Sequence, residues 1–215
     1  MQALAALPGP YLPWGAGAMR PAGLVTVCND IVMNQRRRIV ELGSGVSTVL
    51  LARLLAQRPP QGGFLMAAVE HDALWARWVR EQLDREGIGT DVTVVRAPLL
   101  AHPRADHGLR WYDEAALTKG LREALGAERI DLLLVDGPPA HAPGLGVARY
   151  PALPVLGDRL AAGGTVFLDD AERPGEQEVL RRWEHETRLA FDRSPERGGI
   201  AVAAVPAEGL GSRHG

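Results

Sequence analysis

The sequence predicts an open α/β fold, a mostly parallel sheet with helices on both faces. Three observations carry this. Short β-branched or apolar runs alternate with longer segments of helical spacing, the pattern of successive strand–helix–strand crossovers. The run IDLLLV at residues 130–135 is almost wholly apolar, as a strand covered on both faces must be. The 25 glycines and 16 prolines are scattered as punctuation between these segments, which excludes a long helical bundle or coiled coil.

The elements follow in order. Residues 1–20, rich in Pro, Gly and Ala, read as an irregular arm. Residues 21–35 place Leu24, Val27, Ile31 and Val32 near helical spacing, and Pro21 suits a first helical turn. Arg36, Arg37 and Arg38 then read as a solvated helix end, or as a patch for a phosphate or an acid. Strands are expected at 38–42, 64–70, 91–95, 130–135 and 165–168. Helices are expected at 47–57, 72–86, 113–125, 152–161 and 175–187. Ser47 or Thr48 is the expected cap of the first of these, and Gly87 and Gly126 stop two others. Residues 98–110 and 137–150 read as long loops. Segments 189–192 and 200–205 flank the turn SPERGG and read as a closing antiparallel pair. Trp75, Trp78 and Trp183 fall in helical patterns and are assigned to packing. Trp14, Trp111, Tyr112 and Tyr150 are placed where loops overhang the strand ends.

Length and charge narrow the function classes. A chain of 215 residues, against roughly 150 per domain, holds one domain with appendages. We expect an arm and covering helix at 1–35, a core domain at 36–206 and a flexible tail at 207–215. A formal net charge of −2 offers no basic field for nucleic acid or an anionic membrane. The expected partner is a small-molecule substrate, and the expected state a monomer or homodimer. The single Cys28 excludes a disulfide framework and a Cys-based zinc site, and suits a cytoplasmic location. The first residues lack a basic stretch and are interrupted by Pro8, Pro10 and Pro13, so they read poorly as a signal peptide. No apolar run reaches the roughly 20 residues of a membrane span.

The strongest local signal is ELGSGVST at residues 41–48, between a predicted strand and a predicted helix. Glycines there let a ligand approach the backbone, and the helix start offers free N–H groups. Glu41 stands at the strand end, where a carboxylate would repel a pyrophosphate and welcome a cation. The third glycine of a dinucleotide fingerprint is absent, since Thr48 holds its place. Glu70 ends the next strand, 25 residues beyond Gly45, near where a ribose-binding acid is expected. The competing reading is that Glu70 and His71 only cap the next helix.

The set ELGSGVST, VEHD, DLLLVDGPP and GGTVFLDD resembles the class I S-adenosylmethionine-dependent methyltransferases over roughly residues 36–205. The resemblance implies a Rossmann-like, seven-stranded sheet with its last strand antiparallel. It implies that Glu41, Gly43, Ser44, Gly45 and Ser47 line the methionine part of the cofactor and that Glu70 holds the ribose. His71 would lie beside the adenosine, and Ala97 would approach the adenine. The helix before the core would cover the cofactor. The sulfonium charge of S-adenosylmethionine fits Glu41.

Asp136 ends one predicted strand, and Asp169 and Asp170 end another. Ligands of open α/β sheets bind outside such ends, and three carboxylates together call for a cation. The arrangement is similar to the metal-dependent small-molecule O-methyltransferases, catechol-type and antibiotic-sugar enzymes among them. It implies Mg²⁺ or a similar ion on Asp136, Asp169 and Asp170, acting on a substrate hydroxyl. Against this, adjacent residues of a continuing strand face opposite ways, so Asp169 and Asp170 could not both point inward. Asp136 also serves as a cofactor-proximal acid in relatives without metal. The lysine that follows the first aspartate in the catechol-type pattern is missing, because Gly137, Pro138 and Pro139 stand there. His141 is the nearest candidate base, with His107 further off, and Asp136 and His141 are the candidate catalytic pair. Rival readings are a metal-independent N- or O-methyltransferase, an NAD-dependent oxidoreductase, and a non-catalytic cofactor-binding module.

Overall fold

Parallel strands need long crossovers, and the chain provides them as helices. The computed structural model describes residues 7, 9–15, 17–193 and 199–210. Helix α1 (Pro21–Met33) precedes β1 (Arg38–Leu42), α2 (Val46–Gln57), β2 (Leu65–Glu70), α3 (Ala73–Glu86) and β3 (Val92–Arg96). A small hairpin follows, β4 (Leu99–Ala101) with β5 (Arg110–Tyr112). Then come α4 (Glu114–Leu125), β6 (Ile130–Val135), α5 (Ala152–Leu156), β7 (Leu160–Leu168), α6 (Pro174–Glu186) and β8 (Ala201–Ala204). The main sheet has the order β3-β2-β1-β6-β7-β8, parallel except for β8.

Strand alternation sorts the core into two faces. Val40, Leu42, Val69, Leu133, Val135 and Val166 pack toward α4 and α6, meeting Leu117, Leu121, Leu180 and Trp183. Ile39, Met66, Leu132, Leu134 and Phe167 pack toward the first three helices, meeting Leu24, Val27, Leu51 and Val79. Both faces of the central strands are therefore apolar, which is why they read as unbroken hydrophobic runs.

The structure departs from expectation in four places. Among the described residues the main sheet has six strands. Among the described residues, segment 189–192 contributes only a bridge between Asp192 and Val202, and the neighbouring Phe191 N–H donates to the Glu184 carboxylate at 3.0 Å. The turn expected between these segments lies largely outside the described residues, as does the end of the expected tail. The helix expected at 152–161 stops at Leu156 and a 3-10 turn, and β7 begins at Leu160. Backbone bonds hold that early strand: Gly163 N–H donates to Val205 O at 3.0 Å, and Val205 N–H to Gly164 O at 2.7 Å. The loop expected at 98–110 contains the hairpin, which buries Trp111 and Tyr112.

The three arginines after α1 are structural. Arg36 is buried against Asp30 at 2.8 Å and Gly163 O at 2.8 Å. Arg37 donates to the carbonyls of Gly62 and Gly63, and Arg38 pairs with Glu128. No helix among the described residues is long and apolar enough to cross a membrane. The arm is fastened by Arg53, which donates to Pro10 O at 2.8 Å, and by Arg20, which pairs with Glu172 at 2.7 Å.

Candidate functional site

The chain reverses its direction of travel between β1 and its neighbour β6. The crossovers from these strands lead to opposite halves of the sheet, and ligands of such sheets bind in the crevice at that point. A cleft of about 660 Å³ opens there. Its lining includes Gly43, Ser44, Glu70, His71, Trp75, Tyr112, Asp136, Gly137, His141, Arg149, Asp169 and Asp170. A recess of about 260 Å³ adjoins it, between Pro13 and Gly17 of the arm and Ser44, Gly45 and Ser47 of the glycine turn.

The glycine turn is held from below by Glu41. This carboxylate is 0 % exposed and accepts hydrogen bonds from the Ser47 and Thr48 hydroxyls, each at 2.5 Å. Burial pushes its pKa up to about 7, against the two hydroxyl bonds that lower it. Both hydroxyls donate to Glu41, Thr48 Oγ1 also accepts from the Gly45 N–H at 2.9 Å, and Gly45 is the N-cap residue instead of either. Gly43 has φ +92°, and a Cβ there would lie 2.9 Å from Asp136 O, so only glycine lets β1 and β6 approach so closely.

Glu70 ends β2 with both oxygens in use. Ser44 N–H and Oγ–H donate to Oε2 at 3.2 and 3.1 Å. Asp72 N–H donates to Oε1 at 2.8 Å, and His71 Nδ1 lies 2.8 Å from the same atom. The cap of α3 is Asp72, which accepts from Trp75 N–H at 2.7 Å, so Glu70 is not the helix cap.

The aspartates converge. Asp169 N–H still donates to Val135 O at 3.0 Å and so continues the ladder, but Asp170 leaves it with φ +57°. This left-handed turn, which Asp tolerates better than most residues, overturns the alternation argument. Asp136, Asp169 and Asp170 each bring a carboxylate oxygen within 4.8 Å of the others. Burial, and then Asp169, raise the pKa of Asp136 well above the usual carboxylate range. Burial, and then Asp170, raise that of Asp169.

A cation from the chain itself sits in this cluster. The Arg149 guanidinium, 3 % exposed, lies 3.1 Å from Asp136 Oδ1, 3.2 Å from Asp170 Oδ2 and 3.5 Å from Glu176 Oε1. It also donates to the carbonyls of Asp136, Pro138 and Asp169. Burial alone would lower its pKa, but Asp136, Asp170, Glu176 and Asp169 hold it above the ordinary value. Arg173 adds a second guanidinium 2.7 Å from Asp170 Oδ2. Were all four ionised, Asp136, Asp169, Asp170 and Glu176 would carry two more charges than the two guanidinium groups balance, and a divalent ion would favour that ionised state against the burial that raises the pKa of Asp136, Asp169 and Glu176. Asp169 Oδ1 is buried without a hydrogen-bond partner among the described residues. An all-oxygen donor set with an unused buried oxygen fits a hard divalent cation.

Most sequence-predicted site residues meet at the cleft or its recess: Gly43, Ser44, Gly45, Ser47, Glu70, His71, Asp136, His141, Asp169 and Asp170. Two do not. Glu41 lies behind the turn, with its oxygens turned to hydroxyls, and Ala97 is sealed in the apolar core beneath α4. The side chain of His107 lies outside the described residues. Of the tryptophans assigned to packing, Trp183 is core, Trp78 packs against the apolar core while also lining the cleft, and Trp75 stands at the cleft wall. Glu176 carried no periodic or motif signal that marks it as a site residue, whereas Tyr112, expected where loops overhang the strand ends, does line the cleft.

A switch-point cleft with a glycine turn, an acid closing β2 and acids ending β6 and β7 defines an α/β transferase of the Rossmann-like methyltransferase type. A family model described as a methyltransferase domain matches residues 40–171, more than half the chain, and the chain belongs to that family. No curated protein matches the sequence. Among solved structures, the chain is similar to the O-methyltransferase of Bacillus cereus in complex with S-adenosylhomocysteine. The identity is 18 % and the TM-score 0.60, over 94 % of this chain and 87 % of that one. It is also similar to the O-methyltransferase TomG of Streptomyces achromogenes, involved in tomaymycin synthesis and solved with S-adenosylmethionine. There the identity is 18 % and the TM-score 0.58, over 96 % and 90 % of the chains. The Podospora anserina methyltransferase PaMTH1 matches at 14 % identity and TM-score 0.59, over 91 % and 98 %. At these identities the likeness establishes the fold.

Proposed function

We propose that this methyltransferase moves a methyl group from S-adenosylmethionine to a hydroxyl of a small molecule, with a divalent cation such as Mg²⁺ at Asp136, Asp169 and Asp170. The observation that carries the reading is that one cleft holds both Glu70 beside the glycine turn and the three converging aspartates. The B. cereus and S. achromogenes enzymes, solved with S-adenosylhomocysteine and S-adenosylmethionine, support the choice of cofactor.

In this reading Glu70 receives the ribose hydroxyls, His71 borders the nucleoside, and Gly43, Ser44, Gly45 and Ser47 cradle the methionine part. Glu41 contributes from beneath, by fixing Ser47 and Thr48. A divalent ion on the three aspartates would draw a substrate hydroxyl and lower its pKa. Transfer would require the acceptor oxygen in line with the methyl–sulfur bond and water excluded, and that placement would supply most of the rate. His141, exposed at the rim, takes up the hydroxyl proton on a ring nitrogen. The buried Cys28 suits a reducing compartment, and we place the enzyme in the cytoplasm.

A metal-independent reading has one observation in its favour: Arg149 already neutralises part of the acidic cluster. Two measurements decide. Isothermal titration with S-adenosylmethionine is expected to show binding that Glu70→Ala weakens severely, and binding unaffected by that change overturns the cofactor site. Transfer of labelled methyl to a panel of hydroxylated small molecules is expected to fall in excess chelator and return with Mg²⁺. Full turnover in chelator selects the metal-independent reading.

A further inference from the structure

Four residues close a ring of hydrogen bonds around the ribose candidate. Ser44 donates to Glu70 Oε2 and Asp72 N–H to Glu70 Oε1. On the far side, Trp75 N–H donates to Asp72 Oδ1 at 2.7 Å, and Trp75 Nε1–H donates to Ser44 O at 2.7 Å. The indole thereby ties the glycine turn after β1 to the helix start after β2. Its one polar atom is satisfied, and Trp78 stacks on it with ring centroids 4.6 Å apart and planes 13° from parallel.

This pinned indole remains 37 % exposed, and Leu74 beside it is 74 % exposed; both line the cleft. Rigid apolar surface in a concave site is what a ligand covers, since a large aromatic side chain left half in water forfeits the burial that makes it useful. The ring of bonds also says which ligand. Trp75 is coupled through Ser44 and Asp72 to both oxygens of Glu70, at the second strand's end, and not to the aspartates across the cleft.

We propose that Trp75 is a binding residue for the nucleoside half of the cofactor. Its indole is the apolar wall against which the nucleoside packs, and its N–H bond to Ser44 keeps Glu70 aimed at the ribose hydroxyls. The assignment rests on the cofactor reading above.

The test is isothermal titration of parent, Trp75→Ala and Trp75→Phe with S-adenosylhomocysteine and, separately, with adenosine. Trp75→Ala is expected to weaken both ligands by about tenfold or more and by a similar factor, and Trp75→Phe by less, since it keeps one aromatic ring while losing the N–H and part of the indole's apolar surface. Binding to the parent is expected to change tryptophan emission, and Trp75→Phe to lose most of that change. Thermal unfolding of each variant shows whether the fold is kept; should Trp75→Ala fail to fold, Trp75→Phe carries the test through its affinity and emission. Affinity of Trp75→Ala within about twofold of the parent overturns the proposal. So does a loss confined to S-adenosylhomocysteine, which would place the indole on the methionine half. An emission change retained in full by Trp75→Phe also counts against it. A parent that binds neither ligand overturns the cofactor reading, and this assignment with it.

Discussion

Arg149 grips Asp136 twice: its Nη2 lies 3.1 Å from the carboxylate Oδ1 and donates to the same residue's carbonyl at 3.0 Å. Through Nη1 it reaches Asp169 O at 3.0 Å, so one guanidinium ties together the ends of β6 and β7. Geometry of this kind suits a planar fork of donors and cannot be reproduced by an ammonium.

Removing that guanidinium leaves several buried carboxylates without compensation. Arg149→Met is expected to destabilise the fold by about 3–5 kcal/mol, the cost of breaking a buried pair from one side. Arg149→Lys should recover only part of it. Urea unfolding at neutral pH checks this, and a variant as stable as the parent would show that the carboxylates accept their own protons at little cost.

Glu41 gives a pH signature. Its folded pKa of about 7 lies above its ordinary 4.5, so the folded chain binds the proton more tightly than the unfolded one. The associated stability is fully present below about 4.5 and is lost as pH rises through about 7. Glu41→Gln keeps an acceptor for one hydroxyl, offers an amide N–H to the other, and cannot ionise. The parent's stability relative to this variant is therefore expected to fall between pH 4.5 and 7 by an amount on the order of 3 kcal/mol. Chemical unfolding of both proteins across that window measures the difference, and a flat difference contradicts it.

The Tyr112 hydroxyl is buried with no hydrogen-bond partner among the described residues, and burial raises its pKa well above the ordinary phenol value. Deleting an unsatisfied buried hydroxyl removes a desolvation cost of about 1–3 kcal/mol and loses no bond. Tyr112→Phe is expected to leave the melting temperature unchanged or to raise it. A clear drop would reveal a partner for the hydroxyl in solution, such as a bound water.

Much of this was legible in the sequence, for stated reasons. The run at 130–135 announced a strand buried on both faces, and the ELGSGVST turn announced itself because glycine and small hydroxyl residues are needed where backbones and ligands meet. Glu70 could be found by counting residues from Gly45. The hairpin carrying Trp111 and Tyr112 was not legible, because strands of three residues are too short to show a period. Trp75 was misread because its spacing on α3 is that of a packing residue, and only the position of Ser44 across the chain turns its indole to the cleft.

The sequence by itself determined the order of strands and helices, the position of the glycine turn and the placement of acids at strand ends. These follow from periodicity and from residue types with strong local preferences. The tertiary structure alone decided that Asp169 and Asp170 face the same cleft, through the left-handed turn at Asp170, and that Arg149 folds back into their midst from the far end of the loop after β6. It also decided that Glu41 is sealed beneath the turn instead of facing a ligand. Each of these depends on one backbone angle or on a contact between segments far apart in the chain. Local pattern carries no record of either, because the energy that fixes them comes from burial and charge pairing in the folded state.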